Sequence, residues 1–294
     1  MTEQNIPAKE IPLRSFTKDE IEAHMNELRQ EFDQVRLVNP TSTSIMIFNE
    51  EGKLEDSAHV CHDIWHKNHR CMNCSSARAV TTRKRQTKIE FINDDAYFVI
   101  SQPIRVDGVI CAMEIIVEMK HFLVSAFGQN IFRHKIESLN EKTYIDSLTG
   151  VYNRRYYDEI AGGLFANCVA FMDLDHFKSI NDTYGHHIGD LVLQAVAKTI
   201  SSNIRSTDGV IRYGGDEFLV FFVGLKDKNI FEKKMRSIQK QISEIRLEEV
   251  PDMKITVSIG AVYDFQMIWD TIDDADQQMY LAKTSGGFHI VFRD

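Results

Sequence analysis

Tyr213-Gly214-Gly215-Asp216-Glu217-Phe218 decides the reading of the C-terminal half of this 294-residue chain. Asp208-Gly-Val-Ile-Arg212 precedes it and the apolar run Leu219-Val-Phe-Phe-Val223 follows. Two strand-like segments around a Gly-Gly pair predict a β-hairpin, with glycine supplying the positive φ of a tight primed turn. The two acids then fall at the hairpin tip, where adjacent carboxylates repel unless a cation joins them. Taken alone, the hexapeptide reads more readily as a solvated turn with two surface acids. Its neighbours change that balance.

Upstream stands Cys168-Val-Ala-Phe-Met-Asp173-Leu-Asp175-His-Phe177-Lys178-Ser-Ile-Asn181-Asp182-Thr-Tyr-Gly185-His186-His187-Ile-Gly189-Asp190. An apolar run of this kind predicts a buried central strand, and the acids arrive at its C-terminal end, the edge where α/β sheets bind ligands. A carboxylate there and one at a hairpin tip form the beginning of an oxygen-rich Mg²⁺ site that triphosphate oxygens would complete. Spacing alone does not show that the two meet.

The segments resemble those of GGDEF domains, the catalytic domains of diguanylate cyclases. The matching stretches are Asp146-Ser-Leu-Thr-Gly-Val-Tyr-Asn-Arg-Arg155, the block from Asp173 to Asp190, Arg205-Ser-Thr-Asp208, the Tyr213–Phe218 hairpin, and Asp274-Ala-Asp-Gln-Gln-Met-Tyr-Leu-Ala-Lys283. They stand in the family's order and cover roughly half of the chain. The resemblance implies a ferredoxin-like palm and condensation of two GTP into cyclic di-GMP with release of pyrophosphate. It implies Mg²⁺ (or Mn²⁺) held by Asp173, the Leu174 carbonyl and Asp216, with Glu217 activating the attacking 3′-hydroxyl. Asn181 and Asp190 match the residues that read guanine. Phe177, Lys178, Gly214, Gly215 and Lys283 match positions around the triphosphate, Lys178 also among the catalytic set. Arg205 and Asp208 match the site at which bound product slows turnover. One GTP per domain implies a homodimer. Individually, Asn181 or Asp190 would pass for a cap or turn residue, and Lys178 for a solvated lysine.

The match has one departure. Where the family usually continues with Gly-Arg-Asn after the lysine, this chain has Thr284-Ser285-Gly286-Gly287-Phe288, so glycine replaces a phosphate-binding arginine. Loss of one charge-assisted contact costs about 1.5–3 kcal/mol. Arg212 and Arg293 are candidates to replace it. The expectation is therefore a diguanylate cyclase, with a catalytically weak or inactive module that binds GTP or cyclic di-GMP as the alternative.

Length predicts two domains at about 150 residues each. With 43% hydrophobic and 26% charged residues, each has material for a core. A net charge of −9 argues against nucleic-acid or anionic-membrane partners. The absence of any long apolar run and of a signal-like N-terminus reads as cytoplasmic.

The N-terminal half predicts an α+β sensor over 1–119, a connecting signalling helix over 120–144 and the GGDEF domain over 145–294. Residues up to Arg14 read as loose. Thr17-Lys-Asp-Glu20 has capping-box form, and Ile21, Met25, Leu28, Phe32 and Val35 continue one apolar stripe up to Asn39-Pro40. Strands follow at Ile45–Phe48, Lys88–Ile92, Ala96–Ile104 and Val109–Val117, an order similar to a PAS-type sensor with an antiparallel sheet. Between them, four histidines and three cysteines lie within His59–Cys74. Cys61, Cys71 and Cys74, with His59, His62 or Cys111 as a fourth, are candidate ligands for zinc or an iron–sulfur centre. The competing reading is three small buried cysteines beside solvated histidines.

Overall fold

A computed structural model of the chain describes residues 13–92, 95–119 and 129–293. The segment expected to be loose before Arg14 lies almost wholly outside these residues, as does the first part of the expected connecting helix. The chain divides into two compact units, residues 1–68 with 73–133, and residues 69–72 with 134–294. Among the described residues no helix is long and apolar enough to cross a membrane.

The first unit opens with β1 (Arg14–Phe16) and α1 (Lys18–Leu28), whose capping box closes as expected: Thr17 Oγ1 accepts from Glu20 N–H, and Glu20 Oε2 accepts from Thr17 N–H. The apolar stripe does not continue as helix, however. α1 ends at Leu28, and Gln34–Asn39 is strand β2, followed by β3 (Ser44–Phe48) and β4 (Leu54–Val60). Val35, Leu37 and Val38 alternate with little regard to a helical face, and β2 is buried on both sides in the sheet, so tertiary pairing overrides the helical spacing of Phe32 and Val35. α2 (Ser75–Thr82) precedes the meander β5 (Gln86–Ile92), β6 (Asp95–Val106) and β7 (Val109–Glu118). The strand order is β1-β6-β7-β2-β3-β4 with β5 also on β6, and only β1 runs parallel to its neighbour.

The two faces of this sheet have different chemistry. Val35, Leu37, Met113 and Ile115 pack with Ile21 and Met25 of α1 in an apolar layer. On the other face Arg36 and Glu114 are cross-strand partners with a 2.7 Å ion pair, 5% and 3% exposed. Arg36 also donates to the Cys61 carbonyl at 2.8 Å, and Ser76 Oγ donates to Glu114 Oε1. Buried charges of this kind survive only when every partner is present.

The Cys/His segment meets that polar side at the Cys61 carbonyl, while its residues 69–72 group with the second unit. All five cysteines are free and buried, and among the described residues no three His, Cys, Asp or Glu side chains are gathered to hold a metal. The zinc or iron–sulfur assignment to Cys61, Cys71 and Cys74 is therefore corrected. Cys74 caps α2, its Sγ accepting from Ala77 N–H, and Cys111 belongs to the apolar layer on the opposite face, where burial pushes its thiol up to about 12.

The second unit begins within α3 (Gln129–Tyr144), which leads into β8 (Tyr152–Asn153) and the short α4 (Arg154–Tyr156), continued by a wider turn to Ala161. Then come β9 (Phe165–Leu174), α5 (Phe177–Tyr184), α6 (His186–Ser202), β10 (Gly209–Arg212) and β11 (Glu217–Phe222). The unit closes with α7 (Lys228–Ser243), β12 (Val257–Met267), α8 (Ile268–Thr284) and β13 (Ile290–Arg293). One sheet of order β13-β12-β9-β11-β10-β8 places β9 at its centre. Cys168, Ala170, Met172 and Leu174 point from β9 into a core shared with α6 and α7. By the two-residue period of a strand, Asp173 and Asp175 point to the other face.

The polar face of the first unit gives a stability prediction. Glu114→Ala leaves the Arg36 guanidinium buried without its counter-charge, and should lower the local stability of β2 and β7 by about 3–5 kcal/mol. Amide exchange of those strands reads the effect. Arg36→Met with Glu114→Leu should recover most of it, whereas a loss below about 1 kcal/mol in the single variant would show the pair to be energetically idle.

Candidate active site

The hairpin forms where it was expected, but not with the turn that was expected. β10 and β11 pair antiparallel from Gly209↔Phe221 to Arg212↔Phe218, leaving Tyr213–Asp216 as the connection. Neither Gly214 nor Gly215 takes positive φ. Gly214 is required by close approach instead: a Cβ there would stand 2.2 Å from Glu217 Oε2. The Gly215 carbonyl accepts from Nε and Nη2 of Arg212 at 3.1 and 2.8 Å, while Arg212 Nη1 reaches Asp146 Oδ1 at 3.1 Å. Burial raises the Asp146 carboxyl, yet the bonds from Thr149 and Arg212 outweigh it and hold the group below its ordinary range. The Asp146–Arg155 stretch is thus a structural tie between the end of α3 and the hairpin.

Strand register assembles the acids. Glu217 of β11 is the direct partner of Asp173 on β9, and Ser258 of β12 is its partner on the other side. The Asp216 carbonyl accepts from Leu174 N–H at 3.3 Å, which seats the hairpin tip against the end of β9. Lys283, in the last turn of α8, places its ammonium 2.6 Å from Asp173 Oδ1. That oxygen is buried and receives no hydrogen bond of ordinary geometry, so its stabilisation is electrostatic. Burial pushes the Asp173 carboxyl up to about 6, reinforced by the charges of Asp216 and Glu217 and opposed by Lys283. Glu217 is raised too, by burial first and then by Asp216 and Asp276, against Lys283 and Arg154.

A second cluster follows on α5 and α6. Phe177 and Asn181 are half-buried on α5, Asp190 is exposed at the start of α6, and Gly189 brings the two helices into contact beneath Asn181. Lys178 is exposed in the first turn of α5. Arg205 and Asp208 stand apart from both clusters, lining a cavity of about 440 Å³ with Tyr152, Ser201 and Ile204. Asp208 closes its own turn, accepting from the backbone N–H of Arg205 at 3.0 Å and of Val223 at 3.2 Å, and leaves the Arg205 side chain exposed.

Two features were not singled out from the sequence. Asp175, 8% exposed, accepts from Ser258 Oγ at 2.6 Å and from Phe288 N–H at 2.9 Å. It thereby fixes the loop after Lys283, in which Gly286, Gly287 and Phe288 all have positive φ. Its i, i+2 spacing from Asp173 was the available signal. The Arg154 guanidinium stacks 3.6 Å over the Tyr213 ring, next to Glu217. The two arginines considered as substitutes for the missing one at 287 are committed elsewhere: Arg212 to the hairpin and Asp146, Arg293 to Asp274.

Comparison with known proteins agrees with this geometry. The family model described as "Diguanylate cyclase, GGDEF domain" matches residues 143–288. The chain is similar to the probable diguanylate cyclase DgcC of Escherichia coli, 34% identical over 152 residues, covering 48% of this chain and 41% of that protein. It is also similar to the diguanylate cyclase DosC of Escherichia coli, 32% identical over 179 residues, with 56% and 36% covered. This chain therefore spans well under half the length of either relative. Among solved structures, the coiled coil and GGDEF domain of DgcB from Caulobacter crescentus in complex with c-di-GMP superposes with a TM-score of 0.51 at 26% identity, over 56% of this chain and 93% of that one. Fold, strand register and these similarities agree that residues 143–288 form a GGDEF domain of the diguanylate cyclase family.

Proposed function

We propose that the chain is a sensor-regulated diguanylate cyclase that converts two GTP to cyclic di-GMP and two pyrophosphates. The observation that carries the reading is the pairing of Glu217 with Asp173, beside Lys283, at one end of the central strand. The fit to a divalent cation rests on Asp173 Oδ1, a buried oxygen that faces the Lys283 ammonium without a hydrogen bond of ordinary geometry, next to a second acid at Asp216. Asp173, Asp216 and the Leu174 carbonyl would hold Mg²⁺ or Mn²⁺, which when bound neutralises phosphate charge and favours ionisation of a coordinated hydroxyl.

The chain's own groups divide the remaining work. Glu217, with its proton affinity raised by burial and by Asp216, takes the proton of the 3′-hydroxyl as that oxygen bonds to the α-phosphorus of the facing GTP and pyrophosphate leaves. Lys283 and Lys178 are the cations for the triphosphate, with Phe177, Gly214 and Gly215 around it. Asn181 and Asp190 read the base: a carboxylate accepts both hydrogens of the N1–H and N2 amino edge, which adenine lacks. Two domains must face one another, so catalysis requires a homodimer. Arg205, exposed beside a locally satisfied Asp208, is placed to bind product and slow turnover. A GTP substrate assigns the work to the cytoplasm.

For the first unit the reading is a PAS-like sensor, supported by the antiparallel order β5-β6-β7-β2-β3 with a helical segment between β4 and β5. The second reading, a GGDEF module that binds nucleotide without turnover, is favoured by Gly287, since Arg212 and Arg293 are engaged with other groups.

Three outcomes are expected. Glu217→Gln should lower cyclic di-GMP formation at least a hundredfold while a non-cyclisable GTP analogue still binds; equal rates of product formation, measured by chromatography, would remove Glu217 from the chemistry. Arg205→Ala should keep wild-type initial rates but lose the early plateau of product, and a plateau at the same level would end the product-site assignment. The third concerns pH. Because the Asp173 carboxyl is raised to about 6, the folded chain binds more protons than the unfolded one between about pH 4 and 6, and stability falls as pH climbs through that window. Asp173→Asn should therefore raise the thermal midpoint of the metal-free protein at pH 7.5, with little gain at pH 4, and abolish activity. A lowered midpoint at pH 7.5 would show that the Lys283 pair outweighs burial.

A further inference from the structure

We infer that Gly189 is a positioning residue for nucleobase recognition, acting through Asn181. The inference rests on the assignment of Asn181 and Asp190 to the base. α5 and α6 are joined by a single residue, Gly185, with φ +84, and turn back on one another around it. Gly185 N–H donates to the Asn181 carbonyl at 2.9 Å and Gly189 N–H to the Gly185 carbonyl at 3.3 Å, so the elbow is closed by backbone bonds on both sides. Gly189 then lies in the first turn of α6, buried, with the Asn181 carboxamide directly over its Cα. A Cβ at 189 would fall 2.0 Å from Asn181 Oδ1, 3.0 Å from its Cγ and 3.3 Å from the tip of the Phe177 ring.

Glycine is a poor choice for a helix on intrinsic grounds, and φ at 189 is ordinary, so neither propensity nor backbone strain asks for it. What asks for it is the side chain lying over it. The missing methyl lets the Asn181 carboxamide rest against α6 at the residue before Asp190. The atoms nearest to a methyl group there belong to Asn181 and the end of Phe177. It displaces the carboxamide and leaves untouched the contacts of Asp173, Glu217 and Lys283, none of which involves this residue. The consequence is selective: the base loses a partner and the phosphates do not.

The test is equilibrium binding of α,β-methylene-GTP with Mg²⁺ to the full chain, compared among wild type, Gly189→Ala, Asn181→Ala and the double variant. Gly189→Ala should bind about tenfold more weakly, Asn181→Ala by a similar factor, and the double variant no more weakly than Asn181→Ala, because the second change has nothing left to displace. Preference over the matching adenine analogue should shrink in step. The thermal midpoint of Gly189→Ala should equal or exceed that of wild type once Asn181 is shortened, since alanine favours the helix. Should Gly189→Ala alone fail to fold, recovery of the fold in the double variant would identify the same clash. Wild-type affinity in Gly189→Ala, or an equal further loss in the Asn181→Ala background, overturns the inference while leaving the base site standing. Wild-type affinity in Asn181→Ala overturns the base-site assignment itself, and the inference with it.

Discussion

The antiparallel register of β9 against β11 and β12 is the constraint on which the acidic site depends. It sets Glu217 and Ser258 on either side of Asp173, and the strand period then places Asp175 next to Ser258 on the same face. A slip of one residue would turn every one of these side chains into the α6–α7 core, where Met172, Leu174 and Phe218 now pack. The hydrophobic alternation of the central strands therefore specifies the site as much as the fold. The energetic cost is visible in the raised carboxyls of Asp173 and Glu217, which the packed sheet holds close together despite their repulsion.

Much of the C-terminal unit was legible because several short patterns, each weak alone, occur in one order. The hairpin and the central strand lie where their apolar runs and flanking polar residues indicated. What was not legible is instructive. α5 buries one apolar residue, Ile180, and so has no stripe to announce it. Gly214 of the hairpin answers to the Glu217 carboxylate passing close by, a requirement of packing that turn propensity does not encode. Phe32 and Val35 continued the spacing of α1 by accident, and a strand buried on both faces overrode it.

The N-terminal unit shows a different limit. Cysteine and histidine density suggested a metal, yet density in sequence says nothing about convergence in space. Cys74 is used as a helix cap and Cys111 sits across the sheet from the polar network. The residues that organise this unit, Arg36 and Glu114, belong to no motif; each stands between apolar neighbours in its strand, and only the β2–β7 pairing shows that they neutralise each other.

On the proposed reading, the Lys283–Asp173 ion pair would give the domain the behaviour of an ion exchanger. A pocket of bare carboxylates would attract any passing cation and resist closure without one. Here the protein carries its own counter-charge at the end of α8. Asp173 would then serve either the Lys283 ammonium or a divalent ion, and an ammonium released from it would be available to the phosphates. On that reading the resting site would carry less excess negative charge than bare carboxylates would give it.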